Sequence, residues 1–229
     1  MQQYFTDIVL RKGDILPLEK DILHHLETVL RKDEAYIFRI ADKEGKIFFA
    51  HLLDKKNALI EEETGEDNEL SFEVTAILSL VKPEKFEWAL QKLTELGVKR
   101  IVPYVARRSV IRKAGKNTVE RYQKICREAS EQSHRNFVPE VTEYASFKDL
   151  PKYLSEVNLL PYEKEEVSPA SLDDHHSVSF LIGPEGGFEE EEVEAFRELG
   201  FTSVTLGKRI LRAETAAVFM MSLLSKEDL

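Results

Sequence analysis

Two glycine-broken turns near the C-terminal end constrain this chain more than any other feature. The first is Leu181-Ile182-Gly183-Pro184-Glu185-Gly186-Gly187-Phe188. The apolar run Val178–Ile182 predicts a buried strand, and Gly183-Pro184 predicts the turn that ends it. Gly186 and Gly187 permit backbone angles that other residues avoid, and let a ligand approach the main chain closely. Four glutamates, Glu189 to Glu192, open the next segment, Val193–Leu199. Acids suit the positive end of a helix dipole, and Gly200 ends the helix. The unit is therefore strand, glycine loop, helix.

Such a unit often binds phosphate. Here Glu185 and the run Glu189–Glu192 would repel one. A neutral or cationic ligand with a purine and a ribose suits the charge better, and S-adenosylmethionine, a sulfonium, is such a ligand. On this loop alone, a tight turn with no ligand accounts for the residues equally well.

The second turn lies in Val204-Thr205-Leu206-Gly207-Lys208-Arg209-Ile210-Leu211-Arg212-Ala213-Glu214-Thr215-Ala216-Ala217. It predicts a strand, another glycine loop and a C-terminal helix with an apolar run through Phe219 and Leu224. Arg212 and Glu214 are charges in an otherwise apolar setting, although an ordinary surface ion pair would contain the same residues. Two glycine loops at the ends of successive strands build one crevice, the usual ligand position in an open α/β sheet.

The rest of the chain reads as two domains. Its 229 residues, 42% of them hydrophobic, suffice for one large core or two smaller ones. No stretch has the length of a membrane span, and the N-terminus has no basic segment before an apolar core. The single cysteine, Cys126, cannot form an internal disulfide, fits a reducing cytoplasm and falls on a helical apolar stripe. The histidines show no metal-ligand spacing, so no metal is expected. Residues 1–70 predict a small β-rich domain. Its elements are a helix over Pro17–Leu30, a hairpin of Tyr36–Ile40 and Ile47–Leu53 turning at Asp42-Lys43-Glu44-Gly45, and a strand at Ala58–Ile60. The acidic run Glu61–Glu69 reads as a linker. Residues 71–229 predict alternating strands and helices, hence a parallel α/β sheet. Strands fall at Phe72–Val81, Ile101–Val105 and Val157–Leu160. One helix starts at Pro83 and ends at Gly97, and another is capped by Asn117.

The net charge of −10 is awkward for a nucleic-acid binder, but its distribution is uneven. From Lys99 to Lys116 the chain carries Lys99, Arg100, Arg107, Arg108, Arg112, Lys113 and Lys116 and no acid. A local basic patch of this kind supplies an electrostatic footprint.

GPEGGF followed by LGxRILRxETA resembles the uridine-N3 methyltransferases of small-subunit ribosomal RNA, the RsmE family within the SPOUT superfamily. The resemblance extends to His25, Val29, Leu30 and Arg31 (HxxxVLR), to Lys92-Leu93-Thr94-Glu95-Leu96-Gly97-Val98 (KxxELGV), and to Glu131-Gln132-Ser133-His134-Arg135 with Pro139. The family follows HxxxVLR with an Arg/Gly-Asp turn where this chain has Lys32-Asp33-Glu34. The resemblance implies a SPOUT domain with a deep trefoil knot, preceded by a PUA-like β-barrel that helps bind RNA. It implies S-adenosylmethionine as cofactor, held by Leu160, Pro161, Gly183, Pro184, Glu185, Gly186, Gly187, Leu206, Gly207, Ile210 and Leu211. Arg212, Glu214 and Glu185 are its candidate catalytic residues. Arg31, Lys92, Arg107, Arg108, Arg112 and Arg135 are candidate contacts to the 16S RNA of the small ribosomal subunit. A cytoplasmic homodimer is expected, with surfaces in Phe86–Leu93 and Phe219–Leu224. Two other readings fit the same motifs: methylation of a ribose 2′ oxygen, and a non-enzymatic RNA-binding protein that holds an adenosine ligand.

Overall fold

The computed structural model describes residues 1–26, 36–109, 117–165 and 175–226. The chain divides into two compact units. The first comprises Met1–Glu69 and Ser130–Phe137, and the second Leu70–Ala129 and Val138–Leu229. A later stretch, 130–137, thus belongs with the first unit, although the sequence suggested a single division near residue 70.

The first unit contains strands β1 (Gln3–Phe5), β2 (Ile15–Pro17), β3 (Ile37–Ala41), β4 (Ile47–Leu52) and β5 (Asn57–Glu63), with a short helix α1 (Lys20–His24). The strands form a sheet in the order β1-β3-β4-β5-β2, in which only β1 and β3 pair in parallel. Alternation sends Phe38, Ile40, Phe48, Ala50, Leu52, Ala58 and Ile60 into one apolar core. The expected hairpin forms, with β3 and β4 antiparallel. Its turn is held by the Asp42 carboxylate, which accepts from the backbone N–H groups of Leu10, Glu44 and Lys46 at 3.1, 2.8 and 2.9 Å. The acidic run is only partly a linker, because Glu61–Glu63 continue β5. The helix expected over Pro17–Leu30 starts at Lys20, and Val29, Leu30 and Arg31 lie outside the described residues.

The stretch 130–137 is bound to this unit by polar contacts. Gln3 donates to the Arg135 carbonyl at 2.7 Å, and Asn136 donates to the carbonyls of Gly45 and Glu66 at 2.7 and 2.9 Å. Arg135, 2% exposed, is ion-paired with Glu69. Buried and paired, it is not a surface cation that a phosphate could reach.

The second unit is a six-stranded sheet of β6 (Glu73–Ser79), β7 (Arg100–Tyr104), β8 (Glu140–Val141), β9 (Val157–Pro161), β10 (Ser177–Ile182) and β11 (Thr202–Val204). Every pairing is parallel, in the order β11-β9-β10-β6-β7-β8. Around it lie α2 (Pro83–Glu95), α3 (Thr118–Ser133, whose last turn falls in the first unit), α4 (Glu190–Glu198) and α5 (Ala213–Ser225). Val178, Phe180 and Ile182 of β10 join one core with Phe86, Leu90, Leu93, Met220 and Leu224. Leu181 joins a second core with Leu160, Phe188, Val193, Phe196 and Phe201. Both faces are covered, and this is why β10 reads as a continuous apolar run. Cys126 is fully buried in the first of these cores.

The four glutamates act locally as expected of acids at a helix start. Glu189 and Glu192 form a reciprocal capping box at the head of α4. Gly200 ends the segment at φ +101°.

Candidate active site

Strands β11, β9 and β10 are neighbours and run the same way, so their C-terminal ends open on one edge of the sheet. The loops that follow them converge there. They surround a cavity of about 620 Å³ lined by Pro161–Glu163, Ile182–Phe188, Thr205–Gly207, Arg209–Ala213 and Ala216, with Lys85 added from α2. That volume lies in the range of small-molecule and cofactor sites, roughly 300–1,000 Å³.

The backbone of this wall needs glycine at particular points. Gly187 lies at φ +67° and Gly207 at φ +102°, the region that side chains with a Cβ avoid. A Cβ on Gly183 would lie 3.1 Å from the Phe188 ring, which closes the loop from the core side. Phe188 in turn packs edge-on against Phe196, with ring centroids 4.9 Å apart. The cavity wall is thus continuous with the packed core of the unit.

Of the residues expected to hold a cofactor, Pro161, Gly183–Gly187, Leu206, Gly207, Ile210 and Leu211 line the cavity. Leu160 does not, because its side chain is fully buried in the core beneath β9. Among the expected catalytic residues, Glu185 and Arg212 line the cavity and Glu214 does not. Glu214 stands behind the wall, with Oε1 3.9 Å from Lys85 Nζ and Oε2 buried without a hydrogen-bond partner among the described residues. Lys85 was not foreseen. It sits in the first turn of α2, which follows β6, and β6 adjoins β10. Only that strand order brings it to the glycine loop, so no local sequence signal could have marked it.

Lys85 and Glu185 form an ion pair at the wall. The hydrogen bond from Lys85 holds the Glu185 carboxyl below its ordinary range, and the same bond raises Lys85 above its own. Both groups stay charged around neutrality.

The charge around the cavity differs from expectation in one respect. The run Glu189–Glu192 does not line it. Arg107 pairs with Glu189 and Glu191 at 3.4 and 3.3 Å, Arg108 with Glu189 at 3.3 Å, and Lys164 with Glu190. Arg108 also donates to the Gly186 carbonyl at 3.2 Å. The basic patch that carries no acid in sequence is therefore met by the acids of α4, because the fold brings the start of α4 to the end of β7. Lys92 pairs with Glu95 at 2.7 Å. Arg112 lies outside the described residues.

The residues present suit S-adenosylmethionine. The wall combines backbone at the glycine loops with apolar surface from Ile182, Leu206 and Leu211, and its charges are mixed, Glu163 and the Lys85-paired Glu185 standing beside Arg209 and Arg212. No group of three or more His, Cys, Asp and Glu side chains is arranged to hold a metal ion among the described residues. No described helix is long and apolar enough to cross a membrane.

Comparison with known proteins points the same way. The profile of the RNA methyltransferase domain family matches residues 68–225. The ribosomal RNA small subunit methyltransferase E of Bacillus subtilis (strain 168) is 34% identical over 246 residues, covering 98% of this chain and 96% of that protein. A crystal structure of the ribosomal RNA small subunit methyltransferase E from Neisseria gonorrhoeae bound to S-adenosyl methionine matches with a TM-score of 0.90 and 31% identity, over 99% of this chain and 97% of that one. A putative methyltransferase from Legionella pneumophila, in complex with bound SAM, matches with a TM-score of 0.85 and 25% identity, over 98% of this chain and 96% of that one.

Proposed function

Because this chain belongs to the ribosomal RNA small subunit methyltransferase E family of RNA methyltransferases, we propose that it moves a methyl group from S-adenosylmethionine to N3 of a uridine in 16S RNA. The observation that carries this reading is the convergence of three loops, from three neighbouring parallel strands, on one cavity.

When bound, S-adenosylmethionine supplies a methyl group already activated on a sulfonium sulfur. The backbone of Gly183–Gly187 and Leu206–Leu211, with Pro161, would hold it. The chain's own task is then mostly orientation. Uracil N3 is a weak acid, and its proton passes to solvent water as N3 becomes the nucleophile that takes the methyl group. Arg212 and Lys85 are cations on the cavity wall, positioned to stabilise negative charge that develops on the ring. Glu185 keeps Lys85 in place, and Glu214 supports it from behind. N3 lies on the Watson–Crick edge, so the uridine must be unpaired or flipped out of its helix.

The same family reading extends to finer features. The sheet unit is a SPOUT domain whose C-terminal segment passes through a deep trefoil knot, supported by the out-of-sequence neighbours β9, β10 and β11 and by the packing of α5 on α2, β6 and β10. The first unit, with its largely antiparallel sheet, is a PUA-like second contact to RNA. The enzyme works as a cytoplasmic homodimer. Arg107 and Arg108, half exposed or more, meet RNA phosphate while sharing their charge with Glu189 and Glu191.

The test is a methyl-transfer assay on purified small ribosomal subunits from cells lacking this protein, with the nucleoside identified by mass spectrometry. N3-methyluridine is the expected product. A methyl group on ribose, or on another base, would overturn the N3 assignment, and no transfer to any ribosomal RNA would favour a binding role without catalysis.

A further inference from the structure

We propose that the loop Gly207–Arg212 is the surface on which the RNA strand carrying the target uridine lands, with phosphates held by Lys208 and Arg209 and a base face resting on Ile210. This inference builds on the methyltransferase reading of the cavity.

The cations that sequence alone marked for RNA are mostly engaged. Arg107 and Arg108 hold the acids of α4, Lys92 holds Glu95, and Arg135 is buried against Glu69. An RNA phosphate at any of these would compete with or share the cation with a carboxylate. Lys208 and Arg209 differ. Both are exposed, and neither makes an ion pair or side-chain hydrogen bond among the described residues. They stand on the loop that forms one wall of the cavity, and Arg209 itself lines it. Unpaired cations beside a reaction site are where phosphate contacts fix the register of a strand.

Ile210 adds a second, apolar signal. It lines the cavity yet is 89% exposed. A single exposed apolar side chain is ordinary on a surface. Ile210 lies between cations at the mouth of a cavity whose target base must leave its stack. Apolar side chains take that place where bases are unstacked, since they cover a base face that would otherwise meet water.

The loop is anchored at its two ends. At its start, the Gly207 N–H donates to Thr205 Oγ1 at 3.1 Å. At its end, the Ala216 N–H donates to the Arg212 carbonyl at 2.8 Å, within the first turn of α5.

The experiment pairs fluorescence anisotropy, using a labelled uridine-containing RNA hairpin, with calorimetry of S-adenosylmethionine and the subunit methylation assay. Lys208→Gln/Arg209→Gln should weaken hairpin binding and lower the slope of log K against log salt by about 1.4, the value for two single-strand phosphate contacts. Because Arg209 lines the cavity and Lys208 does not, Lys208→Gln alone is the variant whose cofactor affinity should match the wild type. The charge-preserving Lys208→Arg/Arg209→Lys variant should restore the slope. Ile210→Ser should keep the slope and lower kcat on subunits. Wild-type hairpin affinity, slope and subunit methylation in the Gln variant would overturn the proposal and leave the methyltransferase reading standing. Loss of cofactor affinity in Lys208→Gln with unchanged hairpin affinity would also overturn it, by assigning that side chain to the cofactor alone. An Ile210→Ser protein that changes oligomeric state with unchanged kcat would place a second copy of the chain, not RNA, on that side chain.

Discussion

Lys85 and Glu185 lie 100 positions apart in sequence, and their side chains meet in an ion pair at the wall of the cavity. One stands in the first turn of α2 and the other on the loop after β10. The adjacency of β6 and β10 is what joins them. Glu214, from the start of α5, approaches the same ammonium group. Three separate segments therefore share one lysine.

Removing that lysine should affect chemistry more than folding. The pair is partly open to water, and pairs of that kind add little stability. Lys85→Ala should leave the melting temperature close to wild type and lower kcat by about 10²-fold, the scale seen when one preorganised group stabilising developing charge is lost. Lys85→Arg should recover part of the rate. Steady-state kinetics on small subunits, beside thermal melts, separates the two effects.

The same pair sets a pH window. The Glu185 carboxyl is held below its ordinary 4.5, so its contribution is complete above 4.5 and fades as pH falls through the lowered value. Lys85 is raised above its ordinary 10.5, so its contribution is complete below 10.5 and fades as pH rises through the raised value. Cofactor affinity measured by calorimetry should show no titration of either group between those limits. In Lys85→Ala, Glu185 loses the main cause of its shift and should titrate nearer 4.5.

Gly187→Val should abolish cofactor binding in a folded protein. The residue sits at φ +67°, where a β-branched side chain is an outlier. A Cβ there meets little except Glu163 Oε1 at 3.7 Å, so the obstacle is backbone strain more than collision. The loop must leave its present path to relieve that strain. Unchanged affinity in calorimetry would remove this loop from the cofactor site.

Phe196→Ala should destabilise the protein by ~3–5 kcal/mol. Phe196 is fully buried, and the rings of Tyr104, Phe147, Phe188 and Phe201 surround it. Because Phe188 closes the glycine loop, cofactor affinity should fall as well. Urea unfolding gives the first quantity and calorimetry the second.

The proposed dimer would cover two exposed apolar side chains. Trp88 on α2 is 45% exposed and Phe219 on α5 is 43% exposed, and these two helices pack together. A two-fold contact would cover both residues. Light scattering at micromolar concentration should give twice the chain mass, falling to the monomer mass in Trp88→Glu/Phe219→Glu. A monomer mass for the wild type would refute the dimer.

Much of this arrangement was legible in the residues. Val178–Ile182 announced a buried strand, Gly183-Pro184 its end, and the glutamates the head of α4, because each signal acts between neighbours in sequence. The hairpin at Asp42–Gly45 was legible for the same reason. So were most of the cavity-lining loop residues, since glycine marks places where the backbone turns sharply or is approached closely.

Long-range pairing was not legible, because a charge in sequence carries no record of its partner. Arg107 and Arg108 stood in a run without acids, and the fold placed Glu189 and Glu191 against them. Arg135 looked like a surface cation, and burial against Glu69 made it a fastening of the stretch 130–137. Lys85 carried no motif, and strand order alone brought it to Glu185. The amino-acid sequence by itself determined the apolar strands β3, β4, β6, β7, β9 and β10, the glycine turns, the starts of α2 and α4, and the family, all set by local backbone preference and residue identity. The tertiary structure decided which charges neutralise one another, that Leu160 and Glu214 stand behind the cavity wall, and that Lys208, Arg209 and Ile210 remain exposed at its mouth. Those outcomes depend on which strands lie side by side, and that is settled only when the whole sheet packs.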